Sequence, residues 1–266
     1  MKIAVIGGDK RQILLCDELE KKYDNVVHII SSSNLREELS GADVVIFPVP
    51  TTRDRVTVNC SLSDDKIPLY EIENLLGDSL VITSGCKFKV KNVVDLNSNE
   101  AFLLKNAAIT AEGAIEYAMQ NTELALLDSN CLVVGNGRIG KMLALRLKCM
   151  CAGVTVSARK SVDFAMLQSL GINSINTGNI KEHISDYDII FNTVDSTVIG
   201  KAEIENSKKN ALFMELASAP YGIDKQYIDS CNRKYVLAAG LPAKVAPISA
   251  AKVLYCAVCD TIDNNL

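Results

Sequence analysis

The sequence predicts an α/β fold: two doubly wound parallel-sheet domains with a cleft between them. Three observations carry that expectation. Short apolar strands alternate with amphipathic helical stretches, a pattern that covers both faces of a parallel sheet with helices. The run Cys131-Leu132-Val133-Val134-Gly135-Asn136-Gly137-Arg138-Ile139-Gly140 bends a buried strand straight into a helix. The 266 residues leave room for two ordinary domains, and hydrophobic residues make up the 48% needed to fill their cores.

The first unit opens with a strand at Lys2–Ile6, turns at Gly7-Gly8-Asp9 and enters a helix over about 11–22. Strands are expected at 26–30, at 44–49 (ending in Pro48-Val49-Pro50) and at 79–84 (ending at Gly85). The Gly7-Gly8 turn looks like a nucleotide loop but lacks a third glycine. Substrate contacts are therefore expected there, since ligands of open α/β sheets bind beyond the carboxyl ends of the strands. A long helix over 110–126 leads onward. Thr110 and Glu112 are read as polar groups of its first turn, and Ala114, Ile115, Ala118, Met119 and Thr122 as its packing stripe. The second unit has strands near 131–134, 154–157, 188–192, 211–216 and 235–238, with helices at 138–151, 161–169 and 224–232. A closing helix covers 247–262. The expected organisation is a substrate and partner domain at 1–109, on which a C-terminal helix at 247–266 packs back, a linking helix at 110–127, and a nucleotide-binding domain at 128–246.

The spacing Gly135-x-Gly137-x-x-Gly140 is the Rossmann dinucleotide fingerprint. Gly135 permits the tight turn, Gly137 lets backbone approach a pyrophosphate, and Gly140 lets helix and strand pack closely. The pyrophosphate would sit on the free N–H groups at the helix start, so Asn136, Arg138 and Ile139 join the glycines as cofactor-binding candidates. About twenty residues on, an NAD-preferring chain carries a carboxylate for the ribose hydroxyl. Here the strand ends in Ser157, Ala158, Arg159, Lys160 and Ser161. Arg159 can clasp a 2′-phosphate with paired donors, and Ser157 and Lys160 stand beside it, so NADP(H) is expected over NAD(H). The alternative is a solvated basic turn. Three further strand ends carry small or hydroxylic residues: Asn192-Thr193-Val194, Ala217-Ser218-Ala219-Pro220 and Ala239-Gly240-Leu241-Pro242. Thr193, Val194, Ala217, Leu241 and Pro242 are read as nicotinamide contacts.

The net charge of −4 and the absence of a long basic stripe argue against general nucleic-acid binding. No apolar run approaches the ~18 residues that span a bilayer, and the first residues read as a strand, not a signal peptide, so a cytoplasmic protein is expected. Of nine cysteines, Cys131 lies in the fingerprint strand, Cys149 and Cys151 near the end of the next helix, and Cys256-x-x-Cys259 in an apolar helical tail. With no second CxxC or histidine cluster, free thiols and no metal are expected. His28 falls in an apolar strand and His183 at a helix start, so neither reads as a catalytic base.

Ile6-Gly7-Gly8-Asp9-Lys10-Arg11-Gln12, Asn106 with Thr110-Ala111-Glu112-Gly113, Leu216-Ala217-Ser218 with Pro220, Gly222 and Asp224, and Gly240-Leu241-Pro242 with Val245-Ala246-Pro247 form a set over nearly the whole chain. Together they resemble the family of dipicolinate synthase A subunits of endospore-forming bacteria. The resemblance implies an NAD(P)-dependent dehydrogenase subunit working with a flavoprotein-like B subunit in the mother cell of a spore former. The implied reaction oxidises a dihydrodipicolinate to pyridine-2,6-dicarboxylate. Ala219 stands where the family tends to have a basic residue, and Tyr221 where it tends to have glycine; the chain is also shorter than the family, mainly in its first unit. A small dicarboxylate substrate needs cationic anchors, and Arg11, Lys87 and Arg53 follow strand ends of the first unit. Asp9 or Glu112 could accept a proton; their structural alternatives are turn former and helix N-terminal cap. Two other readings stay open: a dehydrogenase of the alanine or 2-hydroxy-acid type, and a non-catalytic subunit that binds NADPH. So does a homo-oligomer.

Overall fold

The structure is a computed structural model that describes residues 1–150 and 152–266; the expected placement of Cys151 lies outside the described residues. The chain forms two compact units, Met1–Asn106 together with Pro242–Leu266, and Ala107–Leu241.

The first unit alternates β1 (Lys2–Ile6), α1 (Lys10–Leu19), β2 (Asn25–Ile29), α2 (Leu35–Leu39), β3 (Val44–Ile46), α3 (Leu69–Glu73), β4 (Leu80–Thr83) and β5 (Val93–Asp95). Its sheet runs β2-β1-β3-β4-β5, every pair parallel. β1, β3 and β4 are apolar at nearly every position because both faces are covered, which is what continuous apolar runs in a parallel sheet require. β5 was not expected; three half-buried residues carry no readable alternation. Asp9 sets the start of α1. Its carboxylate accepts the Arg11 N–H at 3.0 Å, and its own N–H donates to the Gln12 side chain at 2.9 Å, a reciprocal cap.

α4 (Glu100–Asn121) begins ten residues before the expected start. Residues 100–109 are as helical as the rest of it, and Phe102 and Ala107 bury there. Thr110 and Glu112 therefore lie in mid-helix, and Glu112 does not cap it. The buried stripe is Ala111, Ala114, Ile115 and Ala118, spaced three and four apart; Met119 falls off it and is exposed.

The second unit continues with β6 (Asn130–Val134), α5 (Arg138–Cys149), β7 (Gly153–Ala158), α6 (Ser161–Ser169), β8 (Asn173–Asn176), α7 (Ile180–His183), β9 (Ile189–Asn192), α8 (Lys201–Asn206), β10 (Leu212–Glu215), α9 (Lys225–Ser230) and β11 (Lys234–Leu237). α10 (Leu241–Val245) and α11 (Pro247–Asn265) come after it. The parallel sheet runs β11-β10-β9-β6-β7-β8. The chain winds outward from β6 through β7 and β8, then returns and winds the other way from β9. The reversal point between β6 and β9 is where open α/β sheets bind ligands. β8, α7 and α8 were not expected; β8 is a largely polar edge strand and the two helices are short. His183 is both the last residue of α7 and the N-cap of the 3-10 turn Ile184–Asp186 that follows it. α11 belongs to the first unit, where Leu254, Val258 and Ile262 join Leu15 and Leu19 of α1 in one core, and Lys22 pairs with Asp263 at 3.2 Å.

Candidate functional site

The C-terminal edge of the second sheet builds a site around the fingerprint. Gly135 follows β6 with φ +98°, a region that side chains disfavour, and its N–H donates to the Ser157 carbonyl at 3.1 Å. A Cβ on Gly135 would stand 2.7 Å from both Thr193 Oγ1 and Val194 Cγ2, and one on Gly140 would collide with the Gly135 carbonyl. Those two glycines hold strand, helix and neighbouring turn together. Gly137 differs: a Cβ there meets nothing within 4 Å, and as N-cap of α5 it offers no side chain to the first helical N–H groups. The start of α5 is thus open to an outside acceptor.

A cavity of about 390 Å³ lies over this turn. Gly135, Asn136 and Gly137 form its floor; Ser157, Arg159, Lys160 and Thr177 line one side, and Thr193 and Val194 another. Ser157 is fully buried, while Arg159 and Lys160 reach solvent. The sequence reading missed Lys141, one turn into α5, and the acids Asp163 and Asp195, all of which line the same cavity. No carboxylate stands at the end of β7 itself, but the first turn of α6 brings Asp163 back to it. Asn136 Nδ2 donates to Asp163 Oδ1 at 2.9 Å, whereas Asn136 Oδ1 is buried without a partner among the described residues. A buried acceptor of this kind calls for a donor; a ribose hydroxyl would satisfy it, and the bare Gly137 approach suits a pyrophosphate. The residues present therefore fit a dinucleotide. Arg138 and Ile139 occupy the first turn of α5 without lining the cavity. Ala217, Leu241 and Pro242 do not line it either: Ala217 is buried, Leu241 is fully buried at the start of α10, and Pro242 belongs to the first unit.

Behind Thr193 and Val194 lies a group that sequence reasoning passed over. Glu215, last in β10, is fully buried. Its Oε1 accepts from Asn192 Nδ2 at 2.7 Å and the Ala217 N–H at 3.0 Å; its Oε2 accepts from the N–H groups of Gly222 at 2.9 Å and Ile223 at 3.0 Å. Burial pushes this carboxyl above its ordinary range, and the four donors pull against that shift. An isolated acid ending an apolar strand was the available signal.

In the first unit, Arg11 is buried and its fork is already engaged. Nε and Nη2 hold the Asp9 carboxylate at 2.9 and 2.8 Å, and Nη2 also donates to the Val49 carbonyl at 2.6 Å. The carboxylate that Arg11 grips bidentately is thus the chain's own. Burial pushes the Asp9 carboxyl up, but the bonds and charge of Arg11, helped by the charge of Arg53, outweigh it and hold Asp9 below the usual range. The first unit also holds a hydroxyl network that the sequence did not announce. Thr51 Oγ1 and Thr83 Oγ1 lie 2.9 Å apart, the Ser84 N–H donates to Thr51 Oγ1 at 2.8 Å, and Ser84 Oγ donates to Asn97 at 3.0 Å. Arg53 is exposed and donates to Asn59 at 3.2 Å. Lys87 is exposed in a separate pocket of about 330 Å³ with Arg55, Tyr70 and Phe88. Glu112, in the second unit, pairs with Arg146 at 3.0 Å on an exposed helix face and joins neither site. His28 packs against a turn, its Nε2 lying 2.8 Å from the Gly7 carbonyl. A larger depression of about 700 Å³, beside α2 and α3, is lined by loop and helix residues such as Ser32, Arg36 and Glu71 and includes none of the fingerprint residues.

The family model for the N-terminal domain of the dipicolinate synthase A subunit matches residues 2–105. The dipicolinate synthase A subunit of Bacillus subtilis (strain 168) is 28% identical over 277 residues, covering 96% of this chain and 93% of the relative. The crystal structure of the Bacillus subtilis dipicolinate synthase A chain superposes with a TM-score of 0.85 at 26% identity, covering 99% of this chain and 96% of that one. The corresponding structure from Bacillus halodurans superposes at 0.84 with 23% identity, covering 97% and 96%. A D-2-hydroxyisocaproate dehydrogenase, at 13% identity and a TM-score of 0.57 over 99% and 96% of the two chains, shares the fold. In its N-terminal domain and along its whole length, this dehydrogenase-fold chain is similar to the dipicolinate synthase A subunits.

Proposed function

We propose that this chain is the dehydrogenase subunit of a dipicolinate synthase, oxidising a dihydrodipicolinate to pyridine-2,6-dicarboxylate with NADP as hydride acceptor. The observation that carries the reading is the cavity over α5, with an unobstructed Gly137, an unpaired Asn136 acceptor and the cations Arg159 and Lys160 at its mouth. The curated relative at 28% identity and the solved structure at 26% are both dipicolinate synthase A subunits, and they suggest the substrate class.

A nicotinamide held there supplies a two-electron acceptor. The chain's residues would do the rest. α5 offers backbone N–H groups to the pyrophosphate, Asn136 and Asp163 address the ribose, and Arg159 with Lys160 neutralises a 2′-phosphate. Oxidation of a dihydropyridine breaks one ring C–H bond as hydride and releases one further ring proton. Aromatisation favours both losses, so a strong base is not required. This suits Asp9, whose carboxylate is too weak a base to drive proton removal at neutral pH. Its part is to lock Arg11, leaving Nη1, which makes no hydrogen bond to the described residues, for a substrate carboxylate. Arg53 and Lys87 add positive charge at neighbouring strand ends. Neither histidine lines the cavity, which weighs against a 2-hydroxy-acid dehydrogenase. A flavoprotein-like B subunit is the expected partner, in keeping with the subunit naming of the relatives.

The test combines cofactor titration with turnover. The isolated chain is expected to bind NADPH in preference to NADH and to oxidise dihydrodipicolinate, alone or on addition of the flavoprotein partner. Turnover of a keto acid by the chain alone would replace this reading with a 2-hydroxy-acid dehydrogenase. Cofactor binding with no turnover even in the presence of the partner would leave a protein that only binds the nucleotide.

A further inference from the structure

We propose that Glu215 is a positioning residue of the cofactor site, acting through Asn192 to set the strand end that carries Thr193 and Val194. The proposal rests on the reading that the cavity over α5 takes a nicotinamide dinucleotide. Its ground is the geometry of one buried carboxylate. Both oxygens are used, each by two N–H donors: Oε1 by Asn192 Nδ2 and the Ala217 N–H, Oε2 by the N–H groups of Gly222 and Ile223. Only a carboxylate accepts on both oxygens; a glutamine would turn an NH₂ group toward one pair of donors.

The bond to Glu215 fixes which way the Asn192 amide points. Its Nδ2 then also donates to the Val194 carbonyl at 2.8 Å, and its Oδ1 accepts the Val194 N–H at 3.2 Å. Val194 is thus held through both backbone groups, and with Thr193 it faces the cavity directly against Gly135. The same carboxylate holds the 217–223 turn, and Gly222 packs so closely on Asn192 and the Val194 carbonyl that a Cβ there has no room. One buried charge therefore ties two strand ends into one surface. Neither Glu215 nor Asn192 lines the cavity, so the action on a ligand is indirect.

This surface lies on the Val194 side, away from Ser157, Arg159 and Lys160. Loss of the tie should harm the dinucleotide as a whole and spare its adenylate half. The experiment compares Glu215→Gln and Asn192→Ala with the parent chain, titrating NADPH and 2′,5′-ADP and recording thermal melts. Asn192→Ala removes only the relay and leaves Glu215 its three backbone donors, so it serves if Glu215→Gln does not fold. The expected result is a cooperative melt, 2′,5′-ADP affinity within about twofold of the parent, and NADPH affinity lower by about tenfold or more, the scale of one lost charge-linked positioning bond. Unchanged NADPH affinity, or equal losses for both probes, overturns the proposal, as does failure of both variants to fold. If the parent chain binds neither probe, the cofactor reading itself fails and the proposal falls with it.

Discussion

Replacing Gly137 by alanine separates binding from folding at the fingerprint. Gly137 has φ −77°, which alanine adopts freely, and a Cβ there meets nothing within 4 Å. Alanine is a poorer N-cap than glycine by about 0.5–1 kcal/mol, and removing a glycine from the unfolded chain returns about 0.4–1 kcal/mol. Gly137→Ala should therefore melt within a few degrees of the parent. Binding should respond differently. The methyl would occupy the approach to the first N–H groups of α5, and one lost charge-assisted bond to phosphate costs about 1.5–3 kcal/mol, or roughly 10- to 150-fold in affinity. Calorimetric titration with NADPH, paired with a melt of the same preparation, reads both quantities. Gly140→Ala is the contrast: its Cβ would collide with the Gly135 carbonyl, backbone against backbone, so the fold should lose about 1–3 kcal/mol or more. A Gly137→Ala chain that binds NADPH as tightly as the parent would refute the assignment of this turn to a pyrophosphate.

Arg159→Asp should weaken NADPH by at least about tenfold while changing NADH little, because it exchanges a phosphate partner for a like charge; equal losses in the two titrations would remove the 2′-phosphate from this corner. Arg11→Ala should cost about 2–4 kcal/mol in a melt, since it strands the Asp9 carboxylate and the Val49 carbonyl, and should reduce turnover while leaving NADPH affinity nearly intact; full activity would take Arg11 out of the substrate site. The Asp9 carboxyl lies below its ordinary 3.8 in the folded chain, so its stabilising contribution is complete above that value and is lost as pH falls through the lowered one. The stability gap between the parent and Asp9→Asn should accordingly be constant near neutrality and close only in strong acid; a gap that closes between about pH 5 and 7 would contradict this. Glu112→Ala should change stability by less than about 1 kcal/mol, as expected for an exposed ion pair, and a tenfold fall in turnover would restore it as a proton acceptor.

The interior strands, such as Ile3 to Ile6 and Cys131 to Val134, were legible because their residues bury on both faces, and the edge strands β2 and β11 were legible by their apolar residues. A run of that kind has one stable use in a chain that also supplies amphipathic helices. β5 and β8 escaped because β5 is only three residues long and β8, Asn173-Ser174-Ile175-Asn176, holds a single apolar residue, so neither leaves a readable side-chain pattern. The start of α4 lies away from its expected place because Thr110 and Glu112 resemble a cap, while only packing reveals that the helix already runs through Phe102. Asp9 and Arg11 were legible as a charged pair beyond a glycine turn, but not that they bind each other.

By itself, the sequence determined the α/β class, the glycine turn at 135–140 and the basic end of β7, since each is a local statement about backbone freedom, burial or charge. Only the tertiary structure decided that Asp163 reaches the cavity, that the fork of Arg11 closes on Asp9, and that Glu215 gathers four N–H groups from separate stretches of the chain. Those depend on which strand ends lie side by side. That neighbourhood comes from the winding of the sheets and the reversal between β6 and β9, which no short stretch of residues encodes.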